Sequence, residues 1–77
     1  MIFIIEYDRK KGQLIRLEEF SDRLEAERKR LELELELNHR KINHEVVLLE
    51  AATKDLLKHT HRRYFNSVGE IARTTTN

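Results

Sequence analysis

The chain has no cysteine, no proline, no tryptophan and only two glycines among its 77 residues. Lacking cysteine, it can form no disulfide, no thiolate metal site and no thiol nucleophile. A domain this small must then be stabilised by its apolar core or by association with another chain. The scarcity of glycine and proline, together with 39% hydrophobic residues, fits a folded chain dense in regular elements rather than a disordered one. Excess charge of one sign is also missing, because 15 Lys and Arg against 14 Asp and Glu leave a formal charge of +1. That balance gives no global electrostatic case for a nucleic-acid or membrane partner. Long apolar runs are absent too: the opening Met1 to Ile5 meets Glu6 and Asp8 at once, too short for a signal-peptide core or a membrane span. The expected setting is the cytoplasm, and Cys-free composition suits a reducing compartment.

What is present reads as strand, strand, helix, strand, helix. Residues 2–7 are β-branched and aromatic on both alternating faces, as in a central strand covered on both sides. Residues 8–12 carry turn chemistry ending at Gly12, and residues 13–19 resume as a mixed, edge-like strand with Ile15 and Leu17 on one face and Leu14, Arg16 and Glu18 on the other. From a cap at Ser21 or Asp22, residues 21–38 contain no Gly, Pro or β-branched residue. Although Leu31 to Leu37 alternates leucine and glutamate like a strand, its composition and the i,i+4 pairs Arg23/Glu27, Glu25/Lys29 and Arg30/Glu34 specify a helix. The run Val46 to Leu49, bounded by Glu45 and Glu50, is a third strand. Thr53 caps a second helix with Leu56, Leu57 and Tyr64 along one side. Ser67 to Glu70 matches a capping box before a short turn at Ile71 and Ala72. The domain is therefore expected to span 1–73, with 74–77 as a frayed tail.

A right-handed crossover through the long helix places strand three parallel to strand two. The economical arrangement is an α+β fold: a three-stranded antiparallel sheet of order 2-1-3 in a ββαβα chain, with the long helix packed on one sheet face.

The long helix carries two apolar stripes. At about 100° per residue, Leu24, Leu31 and Leu35 cluster together, while Ala26, Leu33 and Leu37 lie about 180–220° away. A helix on a sheet needs only one such stripe. Ala26, Leu33 and Leu37 are assigned to a protein interface, most simply the same helix of a second copy. Cover by the second helix or the C-terminal segment, or ordinary surface leucines, would equally account for them.

A second candidate is basic. Within 53–65 the cations Lys54, Lys58, Arg62 and Arg63 face only Asp55 as an anion. Lys54, Lys58, His61, Arg62 and Arg63, with Tyr64 or Phe65 to stack on a base, form a candidate polyanion-binding set for RNA or DNA. Cations closing a helix would also complement its dipole and stay solvated.

Catalytic signals are sparse. His59 and His61 are two residues apart and diverge on a helix, so they do not make a metal site. No nucleophile elbow or phosphate loop appears, and neither a cofactor nor an enzyme activity is expected. The leading expectation is a non-enzymatic interaction or regulatory module, a homodimer joined through the central helix or an open sheet face. Nucleic-acid binding by 54–65 follows, and a phosphodiesterase-like activity built on His59 or His61 comes third.

Overall fold

The computed structural model describes residues 1–65; the capping-box segment and the tail, 66–77, lie outside the described residues. Strands β1 (Ile2–Asp8) and β2 (Gln13–Phe20) form a hairpin, α1 (Arg23–His39) crosses over, and β3 (Glu45–Glu50) follows. A short helix α2 (Lys54–Thr60) and a 3-10 turn (Arg62–Tyr64) complete the described chain. The sheet order is β2-β1-β3, with β1 antiparallel to both neighbours, and α1 packs on the sheet. The α+β arrangement expected from the sequence is the one observed.

The hairpin turn is held by the Asp8 carboxylate, which accepts from the backbone N–H groups of Lys10 and Lys11 at 3.0 and 3.1 Å. The Lys11 N–H is the main cause of a carboxyl pKa below its usual value, opposed by desolvation and helped by His44. Gly12 takes φ 64, a left-handed conformation that costs a residue with a Cβ.

One irregularity changes the faces of β2. Glu6 pairs with Arg16 but Tyr7 pairs with Leu14, so Ile15 is an extra residue without a partner. The bulge resets the side-chain phase. Leu14 and Leu17 therefore share a face, whereas Ile15 is left exposed. Strict alternation from the sequence had grouped Ile15 with Leu17; a period of two cannot anticipate an inserted residue.

Each side of β1 lies in its own apolar cluster. On one face Ile2 and Ile4 pack with Ala26 and Leu33 of α1, flanked by Phe20, Val46 and Leu48. On the other, Phe3 and Ile5 pack with Leu57 of α2 and Tyr64 of the 3-10 turn, flanked by Leu14, Leu17, Val47, Leu49 and Phe65. The apolar first strand is thus covered on both sides, and the sheet has no wholly open face. That corrects the expectation of an uncovered face ready for a partner.

Local sequence sets the helix ends. Asp22 caps α1 by accepting from the Leu24 N–H at 3.1 Å, and Thr53 caps α2 by accepting from the Leu56 N–H at 3.1 Å. At the far end of α1, the Lys41 N–H donates to the Asn38 carbonyl and the Ile42 N–H to the Leu37 carbonyl, a Schellman pattern with Lys41 at φ 59 in the position glycine favours. The second helix is shorter than the sequence suggested. The Thr60 hydroxyl donates back to the Leu56 carbonyl, His61 leaves helical geometry at φ −126 and ψ 53, and Arg62–Tyr64 continue as a separate 3-10 turn.

Candidate functional site

The orientation of α1 corrects the interface assignment. Ala26, Leu33 and Leu37 are buried, with Ala26 and Leu33 packed against β1. The opposed stripe points outward: Leu24 is 64% exposed, Leu31 57% and Leu35 60%. The physical reason is steric. Alanine at 26 lets the N-terminal half of the helix approach Ile2 and Ile4 closely, which no residue of the other stripe would allow. The sequence disclosed two stripes; which one lay down on the sheet depended on this fit.

The exposed leucines run along a helix of 17 residues, about 25 Å long. Charge around them is divided along the axis. Residues 23–30 carry Arg23, Arg28, Lys29 and Arg30 against Glu25 and Glu27, a net +2. Residues 31–39 carry Glu32, Glu34 and Glu36 with no Lys or Arg, a net −3. Arg28 and Glu32 both lie on the same flank of the exposed stripe by helical geometry.

The basic candidate separates into two groups. Lys54, Lys58 and Arg62 line an open groove of about 850 Å³ between β2 and α2, together with Asp55 and His59, above Leu14, Leu17 and Phe65. His61, Arg63 and Tyr64 are engaged elsewhere. The His61 Nδ1 lies 2.9 Å from the Thr60 hydroxyl. Arg63 Nη2 donates to Glu45 Oε1 at 2.9 Å, and the Tyr64 hydroxyl donates to Glu45 Oε2 at 2.8 Å. Arg63 also lies 4.7 Å from the Tyr64 ring centroid, and Tyr64 meets Tyr7 edge-on at 5.3 Å. Burial, reinforced by the Glu45 carboxylate, pushes the Tyr64 phenol above its usual pKa. Arg63 and Tyr64 therefore fasten the 3-10 turn to the sheet instead of extending the basic face.

The arginines distinguish structural from available cations. Arg9, Arg16, Arg23, Arg30, Arg40 and Arg63 each have a carboxylate within ion-pair distance. Among the described residues Arg28 and Arg62 have none, and these two sit at the outward face of α1 and in the α2 groove respectively.

A polar cluster missed from the sequence lies on the α1 side of the sheet. Glu6 is buried, yet Arg16 Nε donates to its Oε1 at 3.3 Å and His44 Nδ1 is 2.6 Å from its Oε2. His44 Nε2 lies 3.5 Å from Asp8 Oδ2, so both ring nitrogens face carboxylates. The ring adjoins a recess lined also by Glu34, Leu37, Asn38, Ile42 and Val46. The ring acts as a clamp that holds the α1–β3 connection on the sheet. Alternation alone placed Glu6 inside a buried strand, and a buried carboxylate implies a cationic partner; that signal was legible, although Arg16 and His44 could not be identified from it.

Among the described residues, no group of three or more His, Asp or Glu is arranged to hold a metal ion, and no helix is long and apolar enough to cross a membrane. No protein-family model, curated protein or solved structure matches the chain.

Proposed function

We propose that this chain is a non-enzymatic interaction module that pairs with a second copy of itself through the outward stripe Leu24, Leu31 and Leu35 of α1. The observation carrying this reading is a row of three leucines, each more than half exposed, on the longest helix of a very small domain. Burying each fully is worth about 1.5–3 kcal/mol. An isologous contact applies that gain to both copies.

Charge selects the orientation. In an antiparallel pair the +2 half of each helix lies against the −3 half of the other, whereas a parallel pair would oppose like charges. Antiparallel packing puts Leu24 opposite Leu35 of the second copy and Arg28 beside Glu32 of the second copy. Arg28, without an intrachain carboxylate among the described residues, then gains one. The helix dipoles also oppose favourably in this orientation. A cytoplasmic setting and a regulatory role through assembly accompany this reading.

Light scattering at micromolar concentration tests it. The expected mass is about twice the 9.3 kDa of the chain, falling to the single-chain value in Leu31→Lys plus Leu35→Lys. Arg28→Glu should weaken the pair, and adding Glu32→Arg should restore it. A single-chain mass for the unaltered protein, or a double mass untouched by the lysine substitutions, would refute the proposal.

A further inference from the structure

The groove between β2 and α2 is made by two independent features of the sequence. The bulge at Ile15 brings Leu14 and Leu17 onto one face of β2, giving an apolar floor that strict alternation would have divided. Lys54 and Lys58 are one turn apart on α2, about 6 Å along its axis, and Arg62, just past the helix end, lines the same groove. None of the three has an ion-pair partner among the described residues, while Asp55 is the one carboxylate lining the groove. The result is an apolar surface bordered by cations that have no ion-pair partner among the described residues.

We infer that this groove binds an acidic amphipathic polypeptide segment, one that presents leucine-like side chains to Leu14, Leu17 and Phe65 and carboxylates to Lys54, Lys58 and Arg62. A compact anion is a poorer match, because it would leave the apolar floor of Leu14, Leu17 and Phe65 without a partner. A segment with both acidic and apolar side chains meets the floor and the cations beside it together. Nucleic acid fits less well. Tyr64, the strongest stacking candidate in the sequence, is buried edge-on against Tyr7 and bonded to Glu45. Phe65, the one aromatic side chain among the lining residues, is partly buried against the core. Aliphatic floor residues provide no stacking platform for bases. This inference stands apart from self-association, since the groove and the leucine stripe lie on opposite sheet faces.

The test uses the full chain and a fluorescein-labelled synthetic peptide with leucines at helical spacing and glutamates on both flanks, read by anisotropy. A matched peptide with lysines for glutamates and an oligouridylate serve as comparators. Binding of the acidic peptide should weaken with salt and drop at least about tenfold in Lys58→Glu plus Arg62→Glu. Both positions are exposed and have no ion pair among the described residues, and Lys58 has only a long contact to the Phe65 ring, so unfolding should shift by no more than about 1 kcal/mol, which separates lost binding from lost folding. Leu31→Lys plus Leu35→Lys should leave peptide binding intact even where it abolishes dimers. The inference is overturned by absence of acidic-peptide binding, by equal binding in the charge-reversed variant, by equal affinity for the basic peptide, or by tighter binding of the oligouridylate.

Discussion

Replacing Leu33 by alanine and, separately, Leu31 by alanine distinguishes the two faces of α1 with the same chemical change two residues apart. Leu33 is 4% exposed against Ile2, Ile4 and Ala26, whereas Leu31 is 57% exposed. Truncating a buried leucine costs about 2–5 kcal/mol, the spread reflecting how far the site collapses. Leu33 lies in the layer between α1 and the central strand, which can close partly, so the expected cost is about 3 kcal/mol. A domain of this size has a total stability of only about 4–12 kcal/mol. The loss should lower the melting temperature by roughly 12–24 °C. Under dilute conditions that keep the chain unassociated, Leu31→Ala should cost less than about 0.5 kcal/mol. Urea unfolding followed by circular dichroism measures both. The concentration dependence adds a second discriminator: Leu31→Ala should abolish most of the rise in midpoint with protein concentration, while Leu33→Ala should lower the midpoint at every concentration. Equal costs at low concentration, or a larger cost for Leu31, would refute the orientation of α1.

Three further outcomes follow from local contacts. Glu6→Ala removes the carboxylate shared by Arg16 and His44 and is expected to cost about 1–3 kcal/mol, measured by urea unfolding. Lys41→Gly should instead raise stability by about 1 kcal/mol, because Lys41 occupies a left-handed position at the end of α1 that glycine takes without strain. The Tyr64 phenol has a folded pKa above its ordinary 10.0, so the neutral form is favoured by folding. Its contribution is complete below the unfolded value and is lost as pH rises through the folded one. Stability should therefore fall at alkaline pH, and Tyr64→Phe should remove part of that decline in unfolding curves collected across the range.

Much of the fold could be read in order along the chain. A first strand that is apolar on both faces from Ile2 to Ile5 requires cover on both sides and so the centre of the sheet, and the observed β2-β1-β3 order places it there. The Leu31 to Leu37 alternation was resolved as helix because its residues are strong helix formers and its ion pairs fall at i,i+4, as Arg30 and Glu34 do at 3.6 Å. What escaped was decided by steric or three-dimensional detail. Two leucine stripes of similar hydrophobicity leave the choice of buried face to Ala26, whose small side chain permits close approach. The bulge at Ile15 depends on the joint register of β1 and β2, which neither strand states alone. Helical projection placed His61 and Arg62 with Lys58 and left Tyr64 on the apolar side, but it assumed a helix unbroken past Thr60, and it could not show that Glu45, distant in sequence, captures Arg63 and Tyr64.

Because the chain has no cysteine, introduced thiols report the proposed pairing without background. Leu24→Cys and Leu35→Cys chains are prepared separately, mixed, and oxidised under mild conditions, with covalent dimers resolved by mass. The antiparallel pair brings position 24 of one copy to position 35 of the other, so the mixture should cross-link efficiently and each variant alone should not. Efficient cross-linking of Leu24→Cys with itself would contradict the orientation, and no cross-link in any combination would contradict association through this face.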